Sequence, residues 1–345
     1  MNSELHEPGA DPLRALYLRT VQALTRGRTT EARVCLDTLA DSVTDYQLAV
    51  IELARQLAVQ SFEWPAERAP FEPSACAPPA SAAIDLVTFH VDLPETPSGI
   101  HEAVDHASLL ADWLGAANAT APQARTILLT DETTPVSEAL HFDVVFRSPL
   151  DRDHLMYERI RVQCEYLLAR EAGRASVLLD SDAIVNADPR GFFAANCDVG
   201  LTWRTGFATA PFNGGVIVVP PGEGGPAFMR EALDCYAELA AHPNVVGTFD
   251  RDLRAWWGDQ FALALMIGYR PFAERGAAQG ALVDRHRVRF LPCSEYNYTL
   301  DVKGAEQRVD PAALRDKLVV HFKGNRKWMQ SDYVARLRAA CAARH

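Results

Sequence analysis

The sequence predicts an α/β protein: a mostly parallel, mixed sheet with helices on both faces, preceded by a small N-terminal helical segment. Three observations lead there. From residue 84 onward, short apolar runs alternate with helix-length stretches, the pattern of a parallel sheet covered on both sides. The run Ser176-Val177-Leu178-Leu179 is apolar without polar alternation, as expected of a strand buried on both faces. Ahead of both lies a leucine-spaced stretch, residues 11 to about 60, followed by Pro65, Pro70, Pro73, Pro78 and Pro79.

In order, the first stretch reads as two or three antiparallel helices. Leu13, Leu16, Leu24, Leu36, Leu39, Leu48, Ile51, Leu53 and Leu57 recur near helical spacing, with polar breaks at Thr29-Thr30 and Asp41 to Asp45. A helical-hairpin repeat is conceivable, but no second copy of this unit follows, so a solenoid is not supported. The prolines mark an extended, semi-rigid linker over 64–83, dividing the chain into a helical segment (1–63), the linker and a main domain (84–345). Within the main domain, strands are expected at 84–91, 125–130, 143–146, 176–180, 199–203, 216–219, 288–291 and 318–322. Helices are expected at 100–117, 155–170, 227–240, 259–267 and 333–343, with loops at Pro94–Pro97 and Phe212-Asn213-Gly214-Gly215.

The totals narrow the function. A net charge of −11, from 45 acidic against 34 basic residues, argues against a nucleic-acid surface, which needs a basic face. The seven cysteines are scattered and none forms Cys-x-x-Cys, which disfavours a disulfide framework or zinc cage and favours a reducing cytoplasm. The N-terminus Met-Asn-Ser-Glu-Leu-His-Glu has neither the basic region nor the apolar core of a signal peptide. No apolar run reaches the ~18 residues of a membrane span; the expectation is a soluble chain, any membrane role being peripheral.

Chemistry concentrates at three places. Asp180 and Asp182 follow the 176–179 strand, at the carboxyl edge where open α/β sheets bind ligands; two carboxylates at i and i+2 on a turning backbone converge on one hard cation. A surface turn rich in Asp reads the same. Near the C-terminus, His321-Phe322-Lys323-Gly324-Asn325-Arg326-Lys327-Trp328 puts an imidazole at a strand end and basic side chains on a glycine loop. That combination suits a metal and a phosphate, or a core histidine beside a solvated loop. Gly258-Asp259-Gln260 opens a helix, where Asp259 is either an N-cap or a ligand group.

In chain order, Asp-x-Asp, Phe-Asn-Gly-Gly, Asp-Gln and His-x-x-Gly-x-x-Lys-Trp together make the stretch from about residue 84 to 332 resemble the GT-A glycosyltransferases, in particular retaining enzymes of the glycogenin and galactosyltransferase type (family 8). The resemblance implies the GT-A fold and a metal site of Asp180, Asp182 and His321 holding Mn²⁺ or Mg²⁺. It implies donor contacts from Arg159, Ser181, Asn213, Gly214, Gly324 and Lys327, and Asp259 and Gln260 beside the donor sugar; Thr88, Phe89 and Asp131 stand for the base-contacting residues. The loop reads Lys327-Trp328 without the family's intervening proline. The expected partners are a nucleotide-sugar donor, such as a UDP-sugar, and an acceptor hydroxyl on a glycan, lipid, small molecule or protein. Two other readings stay open. One is a sugar-phosphate nucleotidyltransferase, although Asp92 to Gly99 carries one glycine and two prolines, unlike a glycine-rich phosphate loop. The other is a nucleotide-sugar binding protein without turnover.

Overall fold

The computed structural model describes residues 12–42, 48–92, 106–204, 210–245, 247–273, 279–300 and 309–343. Helices α1 (Pro12–Thr25), α2 (Thr29–Ser42) and α3 (Leu48–Ser61) form the N-terminal segment. Gly27, at φ 66°, turns the chain out of α1 in the left-handed region glycine adopts without penalty. The break expected at Asp41 to Asp45 runs into 43–47, outside the described residues. The main unit continues with β1 (Ala69–Pro70), β2 (Ile84–Phe89), α4 (His106–Thr120), β3 (Arg125–Thr130), β4 (Val144–Arg147), α5 (Leu155–Ala169), β5 (Ala175–Asp180), β6 (Ala183–Val185), β7 (Val199–Trp203) and β8 (Phe212–Val219). Then come α6 (Gly224–Ala241), α7 (Gly247–Asp252), a π-helical turn (Leu253–Trp257), α8 (Gly258–Ile267), β9 (Gly280–Val283), β10 (His286–Pro292), α9 (Cys293–Tyr296), β11 (Tyr298–Thr299), β12 (Val319–His321) and α10 (Gln330–Ala342). The loop expected at Pro94–Pro97 and the start of the helix expected from Ile100 lie outside the described residues.

The fold is α/β. Nine of the described strands form one sheet in the order β1-β9-β10-β7-β8-β5-β2-β3-β4, and β11-β12-β6 form a second, small one. β5, β2, β3 and β4 run parallel, as do β7 and β10. β8 runs antiparallel to both β5 and β7. The carboxyl ends of β5, β2, β3, β7 and β10 therefore share one edge with the start of β8.

Alternate residues of the central strands feed two cores. Val87, Phe89 and Leu178 face one with Tyr166, Phe228, Phe249 and Phe261. Leu86, Val177 and Leu179 face the other with Trp113, Val320, Phe322 and Tyr333. Burial on both faces explains why these strands show no polar alternation. The first core also takes Leu24, Leu36, Leu39, Leu53, Leu57 and Phe62 from the N-terminal segment. The proline-rich 64–83 stretch is docked on the sheet: β1 pairs with β9, Ala75 bridges Ala195, and Ser81–Ala83 form a 3₁₀ turn. Two sequence expectations change. Asn213-Gly214-Gly215 belongs to β8 rather than a loop, and the glycine loop after β12 is a 3₁₀ helix, Gly324–Met329. All seven cysteines are free. No helix among the described residues is long and apolar enough to cross a membrane.

At the opposite edge from the carboxyl ends, Asp85, the second residue of β2, has no solvent exposure. Arg125 grips it through two bonds of 3.0 and 3.1 Å, Arg174 donates at 2.7 Å and the Tyr166 hydroxyl at 2.5 Å. Burial pushes the Asp85 carboxyl upward, but Arg174, Arg125 and Tyr166 outweigh it and hold the carboxyl below its usual range. One buried carboxylate thus ties β2, β3, α5 and the entry to β5.

Asp85→Asn removes the charge and leaves two guanidinium groups facing a neutral amide, so stability at neutral pH falls by about 3 kcal/mol. A depressed folded pKa stabilises above the unfolded value of about 4 and loses that contribution as pH falls through the folded value. Urea unfolding should therefore show the gap between wild type and Asp85→Asn narrowing from about pH 7 to about pH 3; a constant gap would contradict this role.

Candidate active site

Backbone register builds the site. β5 ends at Asp180, opposite Phe89 of β2. The chain turns through Ser181 and Asp182 into β6, which pairs antiparallel with β12 so that Ala183 faces His321. The Phe322 N–H donates to the Asp182 carbonyl at 2.8 Å. A carboxylate turn and an imidazole distant in sequence are thereby fixed side by side.

His321 is buried, and its ring is oriented by a relay. Its Nδ1 lies 2.8 Å from the Asn297 Oδ1, and the Asn297 Nδ2 donates to the Thr202 Oγ1 at 3.0 Å. The Asn297 amide, facing both ways, makes Nδ1 the protonated nitrogen and turns Nε2 toward the carboxylates, 2.9 Å from Asp182 Oδ1 and 3.7 Å from Asp180 Oδ2. Burial pushes the imidazole pKa down, with Asp182 opposing; the neutral ring is the metal-ligating form. Thr202 also sits opposite a register shift in β8: its hydroxyl lies 2.8 Å from the Asn213 carbonyl and 3.2 Å from that of Val216. The bulge between those carbonyls is closed by the Gly215 N–H donating to Asn213 Oδ1 at 2.8 Å.

Arg159 of α5 is the second centre. One Nη pairs with Asp180, the other with Asp259 and with the Gly214 carbonyl at 3.2 Å. Burial opposes its charge, but Asp180 and Asp259 overcome it and raise the guanidinium pKa. Burial pushes the Asp259 carboxyl up, and Arg159 pulls against that. Asp259 is therefore not the helix cap that its position at Gly258-Asp259-Gln260 allowed: Trp257 precedes the helix, and no side chain caps it. A Cβ on Gly214 would collide with Asp259 and Arg159; one on Gly215 would collide with His321 and Asp180. The glycine pair exists so that these side chains can lie directly against β8.

Lys327, on the 3₁₀ helix, pairs with Asp182 Oδ2. Burial would raise the Asp182 carboxyl, but Lys327 and His321 hold it far below the usual range. Gly324, at φ 56°, supplies the left-handed turn that starts this helix. Lys323 is pushed down to about 8, first by burial and then by Arg204.

The fold thus brings together Asp180, Asp182, Arg159, Asn213, Gly214, Asp259, His321 and Lys327, with Ser181 in the turn and Gly324 one turn from Lys327. Gln260 is half-buried, its amide 3.4 Å from the Trp256 carbonyl. The other three expected residues sit at the same edge but apart from these contacts. Thr88 is buried within β2 and Phe89 packs in the first core. The Asp131 carboxylate is taken by the Thr134 N–H at 2.6 Å, the Thr133 hydroxyl at 2.9 Å and Arg152. Asn297 and Thr202 were not among the expected residues.

The ligand atoms of Asp180, Asp182 and His321 all lie within 4.8 Å of one another. Two carboxylate oxygens and a neutral imidazole nitrogen, the latter with its other nitrogen anchored, fit one divalent cation. Solved glycosyltransferases have a similar chain path. The galactosyltransferase LgtC, solved with donor and acceptor sugar analogs, matches 74% of this chain and 95% of its own at 12% identity and a TM-score of 0.43. A glycosyltransferase involved in glycosylating the major capsid of PBCV-1 matches 73% of this chain and 98% of its own at 14% identity and a TM-score of 0.44. GlyE of Streptococcus pneumoniae TIGR4 matches at 12% identity and a TM-score of 0.44; 75% of this chain spans 63% of GlyE. No family model and no curated protein matches the sequence. Residue roles in this chain rest on its own contacts.

Gly214→Ala and Gly215→Ala place a methyl group inside the Arg159–Asp259 and His321–Asp180 contacts, and each should lower stability by about 1–3 kcal/mol. Gly173→Ala, where a Cβ meets nothing within 4 Å, is the control. Thermal unfolding of the three variants decides: a shift shared by all three would mean that the close approach at β8 is not what requires glycine.

Proposed function

We propose that this chain is a glycosyltransferase of the GT-A type, moving a sugar from a nucleoside diphosphate sugar, a UDP-sugar, to an acceptor hydroxyl with retention of configuration. The observation that carries the reading is the convergence of Asp180, Asp182 and His321 at the carboxyl edge of the sheet, with Lys327 against Asp182. Such an edge is where open α/β sheets take ligands, and a divalent ion with few protein ligands is commonly completed by substrate phosphates.

Asp180, Asp182 and His321 would hold Mn²⁺ or Mg²⁺, which supplies Lewis-acid stabilisation of the charge on a diphosphate leaving group. The chain's own residues do the rest. Arg159 and Asn297 fix the orientation of Asp180 and His321 before the donor arrives. Lys327, on a short helix entered through Gly324, adds a point charge toward the diphosphate. Asp259 and Gln260 line the sugar. In the transfer, the anomeric C–O bond to the β-phosphate breaks with its electron pair leaving on the diphosphate. The acceptor oxygen forms the new bond from the same face, and its proton goes to the departing phosphate oxygen.

A thermal-shift panel of nucleotide sugars with and without Mn²⁺ tests the reading, since a ligand of the native state alone raises stability by about 2.7 kcal/mol at a hundredfold excess over Kd. Stabilisation by a nucleotide sugar only with metal, followed by transfer, is expected. Metal-dependent binding with neither hydrolysis nor transfer would make the chain a binding protein. Pyrophosphate release from a nucleoside triphosphate and a sugar phosphate would make it a nucleotidyltransferase.

Asp182→Asn removes a charged ligand without changing shape and should cut metal-dependent turnover at least ~100-fold while circular dichroism stays native; near-normal turnover sinks the metal assignment. Lys327→Ala should weaken UDP binding about ten- to a hundredfold in calorimetry with Mn²⁺, with acceptor affinity unchanged. Equal UDP affinity in both proteins would remove Lys327 from the donor site.

A further inference from the structure

The turn that delivers Asp259 to the site is unusual, and the N-terminal segment holds it. Between α7 and α8 the chain makes one π-helical turn, Leu253–Trp257, with the Gly258 N–H bonded back to the Leu253 carbonyl. Such turns leave the regular helix ladder and recur at functional sites. The same carbonyl accepts the Tyr236 hydroxyl at 2.5 Å, and a Cβ on Gly258 would collide with that Tyr. The wide turn sets the rotation of α8, and with it the direction of Asp259.

Arg55 of α3 clamps this turn from the other side. Its guanidinium makes two bonds to Asp252, 2.7 and 3.1 Å long, the forked geometry lysine cannot reproduce. Its centre lies 4.8 Å from the Trp257 ring centroid, a cation–π distance. Trp257 stacks on Phe261 at 4.8 Å and 24°. Asp252 and Trp257 are both buried; Asp252 immediately precedes the turn and Trp257 is its last residue. Phe62 and Trp64, just beyond α3, press edge-on against the same Phe261 at 5.4 and 5.6 Å.

We propose that Arg55 is a positioning residue for the active edge: by fixing the π-helical turn it aims Asp259 at Arg159, which in turn holds Asp180. Helix α3 is then part of the machinery that sets the metal and donor site rather than an appendage packed on it. This rests on the reading of that edge as a donor site.

A second tether separates positioning from plain packing. Arg33 of α2 bonds the Pro243 carbonyl at 2.7 Å and Asn244 Oδ1 at 2.6 Å, joining the same segment to the residues just after α6 rather than to the turn itself. The test compares full-length Arg55→Met, Arg55→Lys and Arg33→Met by hydrogen exchange and by calorimetry with UDP in the presence of Mn²⁺. Arg55→Met should raise amide exchange in peptides covering 253–263 and 155–163 and weaken UDP binding about tenfold, the order of loss expected when a supporting group lets the site shift. Arg55→Lys should fall between, because it keeps the charge but not the fork or the flat face over Trp257. Arg33→Met should lower the melting temperature and leave both readouts at the wild-type value. Arg55→Met matching Arg33→Met in both readouts overturns the proposal. If Arg55→Met does not fold, the neutral pair Arg55→Met/Asp252→Asn, which leaves no unpaired buried charge, replaces it with the same criteria. A wild-type protein that binds no UDP with Mn²⁺ defeats the donor-site reading, while hydrogen exchange at 155–163 still decides whether Arg55 reaches Arg159.

Discussion

One buried guanidinium constrains this edge of the molecule. Arg159 cannot lie out of water uncompensated, and it is matched by Asp180 at the end of a central strand and Asp259 at the start of a helix. Three elements, α5, β5 and α8, meet at that one side chain, and glycine at 214 is the consequence, since any side chain there would occupy the space of the ion pairs. The arrangement also settles the electrostatics of the neighbouring carboxylates. Asp180, Asp182 and Asp259 bring three negative charges to a small volume, and Arg159 and Lys327 bring two positive ones. At an effective dielectric of ~20, like charges 4 Å apart repel by roughly 4 kcal/mol, so the cluster needs these partners to stay assembled.

The parts of this arrangement that could be read in the sequence were those with local periodicity or a short motif. The strand 199–203 has the expected limits, as does 125–130, because apolar runs bounded by polar turns define both ends. Asp180 and Asp182 gain meaning only together with His321 and the loop after it, because a surface turn rich in Asp reads the same by itself. Asn213-Gly214-Gly215 looked like a turn, since glycine pairs favour turns and weaken strands. Its place inside β8 follows instead from the space that Arg159 and His321 need, a tertiary demand no local pattern carries. Asn297 was visible only as a polar residue between two tyrosines, and Thr202 only as an ordinary strand threonine. Their roles arise from register: β11 and β12 pair over two residues and β12 and β6 over three, too short for periodicity to announce. The helices of the N-terminal segment were likewise legible from leucine spacing, but nothing in that spacing says what their apolar faces cover. Leu57 and Phe62 share a core with Phe249 and Phe261, so the first 60 residues and the site helix are one packing problem.

The two edges of the sheet use buried charge in opposite ways, and the contrast bears on what the carboxyl edge is for. At the amino edge Asp85 has both oxygens occupied by two guanidinium groups and a phenol; every partner is used, as expected of a polar group whose task is to hold strands together. At the carboxyl edge the buried Asp259 Oδ1 and Arg159 Nε have no hydrogen-bond partner among the described residues, and one guanidinium, that of Arg159, is shared between two carboxylates. Unmet bonding capacity of this kind destabilises a fold, and natural chains concentrate such violations where function requires them. A structural ion pair in that position would have been completed by a serine or a backbone amide, as Asp131 is by Thr133 and Thr134 on the neighbouring strand end. The edge around Asp180 is instead left partly unsatisfied between rigid elements, which is the condition under which an incoming polar ligand gains most from binding there.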